Sequence, residues 1–392
     1  MIDNCAGNCI TCGKCGNFSI LDSYNLRISS EKREGFGIAV DIGTTTVVMA
    51  LLDLSSGTIK ARHSFMNPQR QFGPDVISRI KAANEGHLNE MQSMITEKIA
   101  GGFNTLTQTI KGQQLNEIII TGNTTIIYLL LGFPCESLGV VPFKPKYSLA
   151  ERYKYGEVFS DNTFAPSLPV IFVPWFAAFV GSDITSGLLY VMTQQKKRFI
   201  LIDLGTNGEM ALYNEGNLIV TSTAAGPAFE GSASGGGASS VIKNLADLLR
   251  DKKIDETGLL DETINEKNDE KIIFSQKQIR DLQLAKSAVR SGLEILLHAS
   301  NLDYNSIDTV FLAGGIGQAM NVTDAVDIGL IPSELASKTI SAGNSSLGGA
   351  VRLLLSPSAA KEDIKKLFSS FKEINLAEYP GFNDMFTDFM FF

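Results

Sequence analysis

Val40-Asp41-Ile42-Gly43-Thr44-Thr45-Thr46 and Ile202-Asp203-Leu204-Gly205-Thr206-Asn207-Gly208-Glu209 are two renderings of one pattern. In each, an apolar strand ends on an aspartate, a tight turn of glycine and short polar residues follows, and a second apolar strand begins. The carboxylate sits at the strand end, and the glycine beside it lets backbone N–H groups approach an anion. Two such turns facing one another would hold a polyphosphate and its metal ion from both sides. That expectation organises the rest of the reading.

Working outward, the first hairpin occupies 36–65 and turns at Ser55-Ser56-Gly57, while the second opens at 199–203 and turns at Asn214-Glu215-Gly216-Asn217. Each half later carries a strand that ends in a glycine turn, Thr121-Gly122-Asn123 and then Ala313-Gly314-Gly315. Repetition of these parts predicts an α/β chain of two similar halves around a cleft. Between them the spacing predicts helices over 76–84 and 88–111, the second with Met91, Met94, Ile95, Ile99 and Phe103 as core filling. Strands are expected at 117–121 and 170–175, and a helix ends near 192 with Ser182 or Asp183 as its cap. Five of the twelve prolines fall within 133–169, which reads as an irregular lobe wall carrying Cys135 as a buried thiol. The glycine-, alanine- and serine-rich run 222–240 includes Ala225-Gly226-Pro227-Ala228-Phe229-Glu230-Gly231. Composition alone makes it a linker, and its place after the second hairpin makes it equally a nucleotide-facing loop. Residues 250–271 read as a solvated charged excursion. Ser275-Gln276-Lys277-Gln278 is a capping box that opens a long helix with Ile279, Leu282, Ala285, Val289, Leu293 and Leu296 on one face. A buried strand at 309–312 and a helix start at 344–350 follow, and the apolar tail 371–392 is expected to pack on a lobe or a partner chain.

A chain of 392 residues with 44% hydrophobic and 19% charged residues has the composition of a soluble globular protein with more than one domain. A net charge of −8 argues against nucleic-acid binding, and Lys196-Lys197-Arg198 is too short a basic run to reverse that. The first fifteen residues are polar and cysteine-rich, unlike a secretory signal, and the apolar run 118–133 is broken by Thr121-Gly122-Asn123-Thr124-Thr125. A cytoplasmic protein without a membrane span is the expectation.

Cys5, Cys9, Cys12 and Cys15 lie within those fifteen residues, spaced C-x3-C-x2-C-x2-C. Disulfides are a poor use of cysteine in a reducing compartment, and zinc ordinarily takes two cysteine pairs a dozen or more residues apart. Four thiolates so close together suit a compact iron–sulfur cluster best, with zinc and free thiols as the alternatives. Residues 17–34 read either as a tether, spanning roughly 25 Å as a flexible coil, or as an ordered strand on the main body.

The order of parts resembles the actin, sugar kinase and heat-shock chaperone (ASKHA) superfamily over roughly 36–355. The first phosphate motif falls on Asp41 to Thr46, the first connecting helix on Gly181 to Asp183, and the second phosphate motif on Asp203 to Glu209. The adenosine motif falls on Gly314, Gly315 and Gly317, and the second connecting helix on Ser346 to Val351. The resemblance implies duplicated ribonuclease-H-like lobes: a cysteine-rich arm over 1–34, a first lobe over 35–195, and a second over 196–343. Residues 344–392 would be a connecting helix and a tail returning to the first lobe.

Within that superfamily the chain is similar to the reductive activators of corrinoid proteins. The phrases that carry this are Asn67-Pro68-Gln69, Phe72-Gly73, Asp75-Val76-Ile77-Ser78-Arg79-Ile80, the second phosphate turn, residues 225–231 and Gln283-Leu284-Ala285-Lys286. Better-known members begin with a larger ferredoxin-like domain holding a two-iron cluster, or end in one with four-iron clusters, whereas this chain has the fifteen-residue cysteine loop. The resemblance implies ATP-dependent reduction of cob(II)alamin in a methyltransferase system, with an electron passed from an N-terminal cluster of the 4Fe-4S type. An upstream low-potential donor and a corrinoid protein would be the partners, and a homodimer is admitted. ATP can drive an uphill electron transfer only by shifting the balance of two conformations, for which lobe closure is the obvious candidate.

By the same resemblance Asp41 and Asp203 position Mg2+ mostly through its waters. Gly43, Thr44, Thr45, Thr46, Gly205, Thr206, Asn207 and Gly208 hold phosphate, and Gly226, Gly314, Gly315 and Gly317 border the nucleotide. Asp183 orients the attacking water with Glu209 behind it, and Glu230 and Lys286 are lesser candidates. A small-molecule kinase of the same fold, an ATP-driven switch with a zinc knuckle, and an activator of radical dehydratases are the competing functions.

Overall fold

The computed structural model describes residues 33–110, 112–149, 152–205, 207–230, 238–261 and 274–392. Cys5, Cys9, Cys12, Cys15 and Thr206 lie outside them. In chain order the main elements are β1 (Phe36–Ile42), β2 (Thr46–Asp53), β3 (Ile59–Met66), α1 (Val76–Ala82), α2 (Leu88–Thr107), β4 (Leu115–Gly122) and α3 (Thr124–Leu131). Next come β5 (Tyr153–Lys154), β6 (Pro169–Phe172), α4 (Ser182–Val191), β7 (Arg198–Leu204), β8 (Gly208–Asn214), β9 (Asn217–Thr223) and α5 (Ala238–Arg250). The remainder are α6 (Gln276–Ala299), β10 (Thr309–Ala313), α7 (Gly314–Ala319), β11 (Thr339–Gly343), α8 (Ser345–Leu355), α9 (Pro357–Ser370), β12 (Phe371–Glu373) and α10 (Phe382–Asp388).

Every residue of β1 except Asp41 is buried, as expected of a strand covered on both faces. It pairs antiparallel with β2 and parallel with β4, and the sheet runs β3-β2-β1-β4-β6-β5. β7 has the same place in the second sheet, antiparallel to β8 and parallel to β10, in the order β11-β10-β7-β8-β9-β12. Without its outer strand (β5 in one sheet, β12 in the other), each sheet is a three-strand meander joined through its first strand to two parallel strands. The duplication read from two turns therefore extends to whole sheets. Each half has its own apolar core: Ile38, Val40, Met49, Ile95, Phe103 and Ile120 in the first, Ile200, Ile202, Leu212, Val289, Leu293 and Leu312 in the second.

The chain divides into two units, one running to Thr193 and resuming at Asn344–Ser369, the other made of Gln194–Gly343 and Ser370–Phe392. The stretch that follows β11 thus groups with the first unit only as far as Ser369. Beyond it β12 joins the edge of the second sheet beside β9, and α10 packs against α6. The cause is local: β9 has an open edge on its far side, and the apolar tail covers polar groups along α6.

The two helices expected at 76–84 and 88–111 are present as α1 and α2, which meet across a kink at Ala83–His87 where Gly86 stands at φ 106°. One reading is corrected. α5 fills the interval between the glycine- and serine-rich run ending at 240 and the charged stretch beginning at 250, where no element was expected, and Val241, Ile242, Leu245 and Ala246 are its buried face. The capping box at Ser275 and Gln278 is present and opens α6. Among the described residues no helix is long and apolar enough to cross a membrane.

Candidate functional site

Asp41 is the next-to-last residue of β1, level with Thr121 on β4. Its Oδ2 accepts from Asn344 Nδ2 at 2.9 Å and its Oδ1 from Ser346 Oγ at 2.8 Å. Asn344 is the N-cap of α8, and its Oδ1 accepts from Leu347 N at 2.7 Å, so one side chain both starts the helix and fixes the aspartate. Asp41 keeps some solvent contact as a residue, yet its carboxyl is packed closely enough that burial raises its pKa above the ordinary value, against the lowering effect of the two donors.

Asp183 lies in the first turn of α4, and its Oδ1 accepts from Ile184 N at 2.9 Å. Burial first, then the nearby Asp41 charge, pushes its pKa up to about 7. The helix is positioned by its neighbour Ser182, whose Oγ donates to Gly122 O at 2.8 Å and accepts from Gly122 N at 3.0 Å. Neither residue caps as expected: Gly181 is the N-cap, and a Cβ there would stand 2.7 Å from Asn123 Cα. The sequence placed a polar residue at the helix start correctly but missed that Ser182 is spent on tying α4 to the end of β4.

The turn itself has Gly43 N donating to Thr46 O at 3.0 Å. Its carbonyls are held from outside by Asn67, at the end of β3, and by Arg79 of α1. The sequence offered Asn67 and Arg79 only as parts of a characteristic phrase, and Asn344 only as part of a helix start. None was a candidate site residue, because a role through hydrogen bonds to a distant turn leaves no local pattern.

In the second unit Asp203 is again next to last in its strand, level with Ala313 on β10 and opposite Glu209 on β8. Directly opposed residues of an antiparallel pair project to the same side, so two carboxylates share one face here. Asp41 faces Val48 at the corresponding place, so the first turn carries no second carboxylate. Gly205 N donates to Asn207 O at 2.9 Å and closes the turn. Gly314, at φ 78°, lies so close to Asp203 that a Cβ would stand 2.3 Å from its Oδ1. Gly317 is pressed against β10, and among the described residues nothing stands within 4 Å of a Cβ on Gly315 or Gly226. The structure thus brings Asp41 and Asp183 together, with Thr44, Thr45 and Thr46 in the turn after Asp41. It separately brings together Asp203, Glu209 and Gly314. Among the described residues no three His, Cys, Asp or Glu side chains gather as a metal-binding group.

Residues 36–196 match the family model described as the RACo middle region, and 197–244 with 238–392 match the C-terminal domain of RACo, the ASKHA domain. The chain belongs to the RACo family. A curated relative, the corrinoid activation enzyme RamQ of Eubacterium limosum, is 31% identical over 85% of this chain and 66% of its own length. The [Co(II) methylated amine-specific corrinoid protein] reductase of Methanosarcina barkeri is 22% identical over 84% of this chain and 72% of its own. A solved structure, a reductive activator for corrinoid, iron–sulfur protein, superposes with a TM-score of 0.79 at 30% identity, covering 93% of this chain and 67% of that one. The chain thus spans about two thirds of the length of these relatives. The ASKHA assignment agrees with the duplicated sheets, each carrying its aspartate turn at the end of the central strand.

Proposed function

We propose that this RACo-family chain is an ATP-dependent reductive activator of a corrinoid protein. The observation that carries the reading is the aspartate turn built twice, with Asp41 set between an amide and a hydroxyl donor, in a chain whose relatives are named for corrinoid activation.

The residues present fit a magnesium–nucleotide complex. A carboxylate that uses one lone pair on each oxygen for Asn344 and Ser346 keeps the others for the waters around Mg2+, an ion that sheds its water reluctantly. The hydroxyls of Thr44, Thr45 and Thr46 supply donors for phosphate oxygens, as do Thr206, Asn207 and the backbone at Gly208, whereas the Gly205 N–H is spent on Asn207 O and shapes the turn instead. Asp203 and Glu209, like charges on one face, favour a cation beside them. Gly314, Gly315 and Gly317 leave backbone accessible to an adenosine, and Gly226 presents an open backbone. Asp183, next to Asp41 and fixed by its own helix, orients the water that attacks the terminal phosphate. Bound ATP supplies the free energy that makes the uphill electron transfer feasible.

Cys5, Cys9, Cys12 and Cys15 are assigned to an iron–sulfur cluster of the 4Fe-4S type, which supplies one electron for cob(II)alamin on a partner protein. Bound there, such a cluster would take its electron from an upstream low-potential donor. The experiment is ATP-dependent reduction of cob(II)alamin in a purified corrinoid protein, followed by its visible absorption, together with iron, sulfide and zinc counts. The expected result is reduction that requires both ATP and Mg2+, with iron and acid-labile sulfide bound. Zinc in place of iron, or phosphate transferred to a small acceptor, would overturn the reading.

A further inference from the structure

The peptide planes of the first phosphate turn are held from behind. Gly43 O accepts from Asn67 Nδ2 at 2.9 Å, Thr44 O from Arg79 Nη2 at 2.7 Å, and Thr45 O from Asn67 N at 2.9 Å. In a trans peptide the C=O and the following N–H point in opposite directions. Each of the three N–H groups that follow, those of Thr44, Thr45 and Thr46, is therefore turned away from the donor that holds its carbonyl.

Arg79 is a fully buried side chain. Its Nε donates to Gly73 O at 3.0 Å, and its Nη1 has no hydrogen-bond partner among the described residues. No carboxylate forms an ion pair with it among those residues, and Asp75 acts on it only through space. Burial lowers its pKa to about 10, which leaves it cationic at neutral pH. The rest of the segment delivers the two side chains. Asn67 caps a short 3-10 turn at Pro68–Phe72, and Gly73, at φ 153°, lies where a Cβ would come within 2.1 Å of Ser78 Oγ. Asp75 and Ser78 form the capping box that starts α1. A segment so fully committed to placing one amide and one guanidinium against a turn has a task at that turn.

We propose that Asn67 and Arg79 are positioning residues of the first phosphate turn: they fix its carbonyls outward so that its amides face the polyphosphate, and Arg79 supplies the positive charge behind them. The inference rests on the nucleotide reading above. It predicts a dependence on ligand charge that a purely structural role would not produce.

The test is equilibrium titration of the full chain with Mg–ATP, ADP and AMP, for wild type, Arg79→Met, Arg79→Lys and Asn67→Asp. The expected result for Arg79→Met is a loss of at least tenfold in ATP affinity, a smaller loss for ADP, and a change within twofold for AMP. Arg79→Lys keeps the charge and should recover part of the ATP-to-AMP ratio. Asn67→Asp sets a carboxylate against the Gly43 carbonyl and should weaken ATP binding several-fold. Equal losses for all three nucleotides, or none, would overturn the proposal. If Arg79→Met does not fold, the ratio in Arg79→Lys decides: a ratio below wild type supports the proposal and an unchanged one overturns it. Failure of the wild type to bind ATP would instead overturn the nucleotide reading itself, and this inference with it.

Discussion

Gly314 is the residue at which sequence and geometry meet most tightly. It was legible as part of a glycine turn after a buried strand, and the structure supplies a reason for glycine that needs no ligand. Its φ of 78° and its closeness to Asp203 Oδ1 and Leu204 O leave no room for a Cβ. Gly314→Ala should cost about 1–2 kcal/mol for the left-handed backbone, with a further penalty for displacing Asp203. Urea denaturation should report the destabilisation, and nucleotide titration a loss of binding. A variant as stable as wild type would mean that the backbone at this position relaxes freely. Asp41 shows the opposite case. The aspartate was plain in the sequence, but its partners Asn344 and Ser346 lie some three hundred positions later, and nothing in a local pattern points across that distance.

Among the elements, helices with strong local signals were read well and those with mixed composition were not. The Ser275 and Gln278 box marked the start of α6, whereas α5 was hidden because glycine- and serine-rich residues precede it and charged residues follow. The crossing of α4 and α8 depends on residues without bulk: a Cβ on Gly349 would fall 1.8 Å from Ser186 O, and one on Gly348 2.7 Å from the Tyr190 ring. Gly349→Ala should destabilise the first unit by roughly 1–3 kcal/mol or more through overpacking. A calorimetric scan in which the first unit melts as in wild type would count against that packing.

α6 carries the other consequence at this scale. Gln283 donates to Met390 O at 2.8 Å, Lys286 to Phe391 O and Ser287 to Phe386 O, so the tail covers polar groups along the helix. Burial holds the Lys286 pKa down to about 8, with the charge of Arg290 adding to the effect. Between about 8 and the ordinary value of 10.5 the unfolded chain binds more protons than the folded one, so the Lys286 contribution to stability rises with pH through that window and is flat below it. The gap in stability between wild type and Lys286→Met should shift in favour of wild type by on the order of 1–2 kcal/mol from pH 7.5 to 9.5. A gap that stays constant across that range would show that burial does not depress the Lys286 pKa.

At the scale of the whole molecule, the duplication was legible because two short turns repeat with their carboxylates in register. The equivalence of the sheets, β3-β2-β1-β4-β6 and β9-β8-β7-β10-β11, follows from the same placement. The tail was not legible, since an apolar terminus states that it packs without stating where. The four clustered cysteines precede the first described strand, and the residues proposed to hold the nucleotide lie on the two aspartate turns. Metal binding and nucleotide binding should therefore be separable by single substitutions. Asp203→Asn keeps the size of the side chain and removes its charge from the face it shares with Glu209. It should retain the iron and the visible absorption of the cluster and abolish ATP-dependent reduction. Cys12→Ser should do the reverse, losing iron while ATP binds with unchanged affinity. Loss of iron in the aspartate variant, or of ATP binding in the cysteine variant, would show that the arm and the aspartate turns form one cooperative structure, and coupling would then have to be sought in their folding rather than in a conformational shift driven by nucleotide.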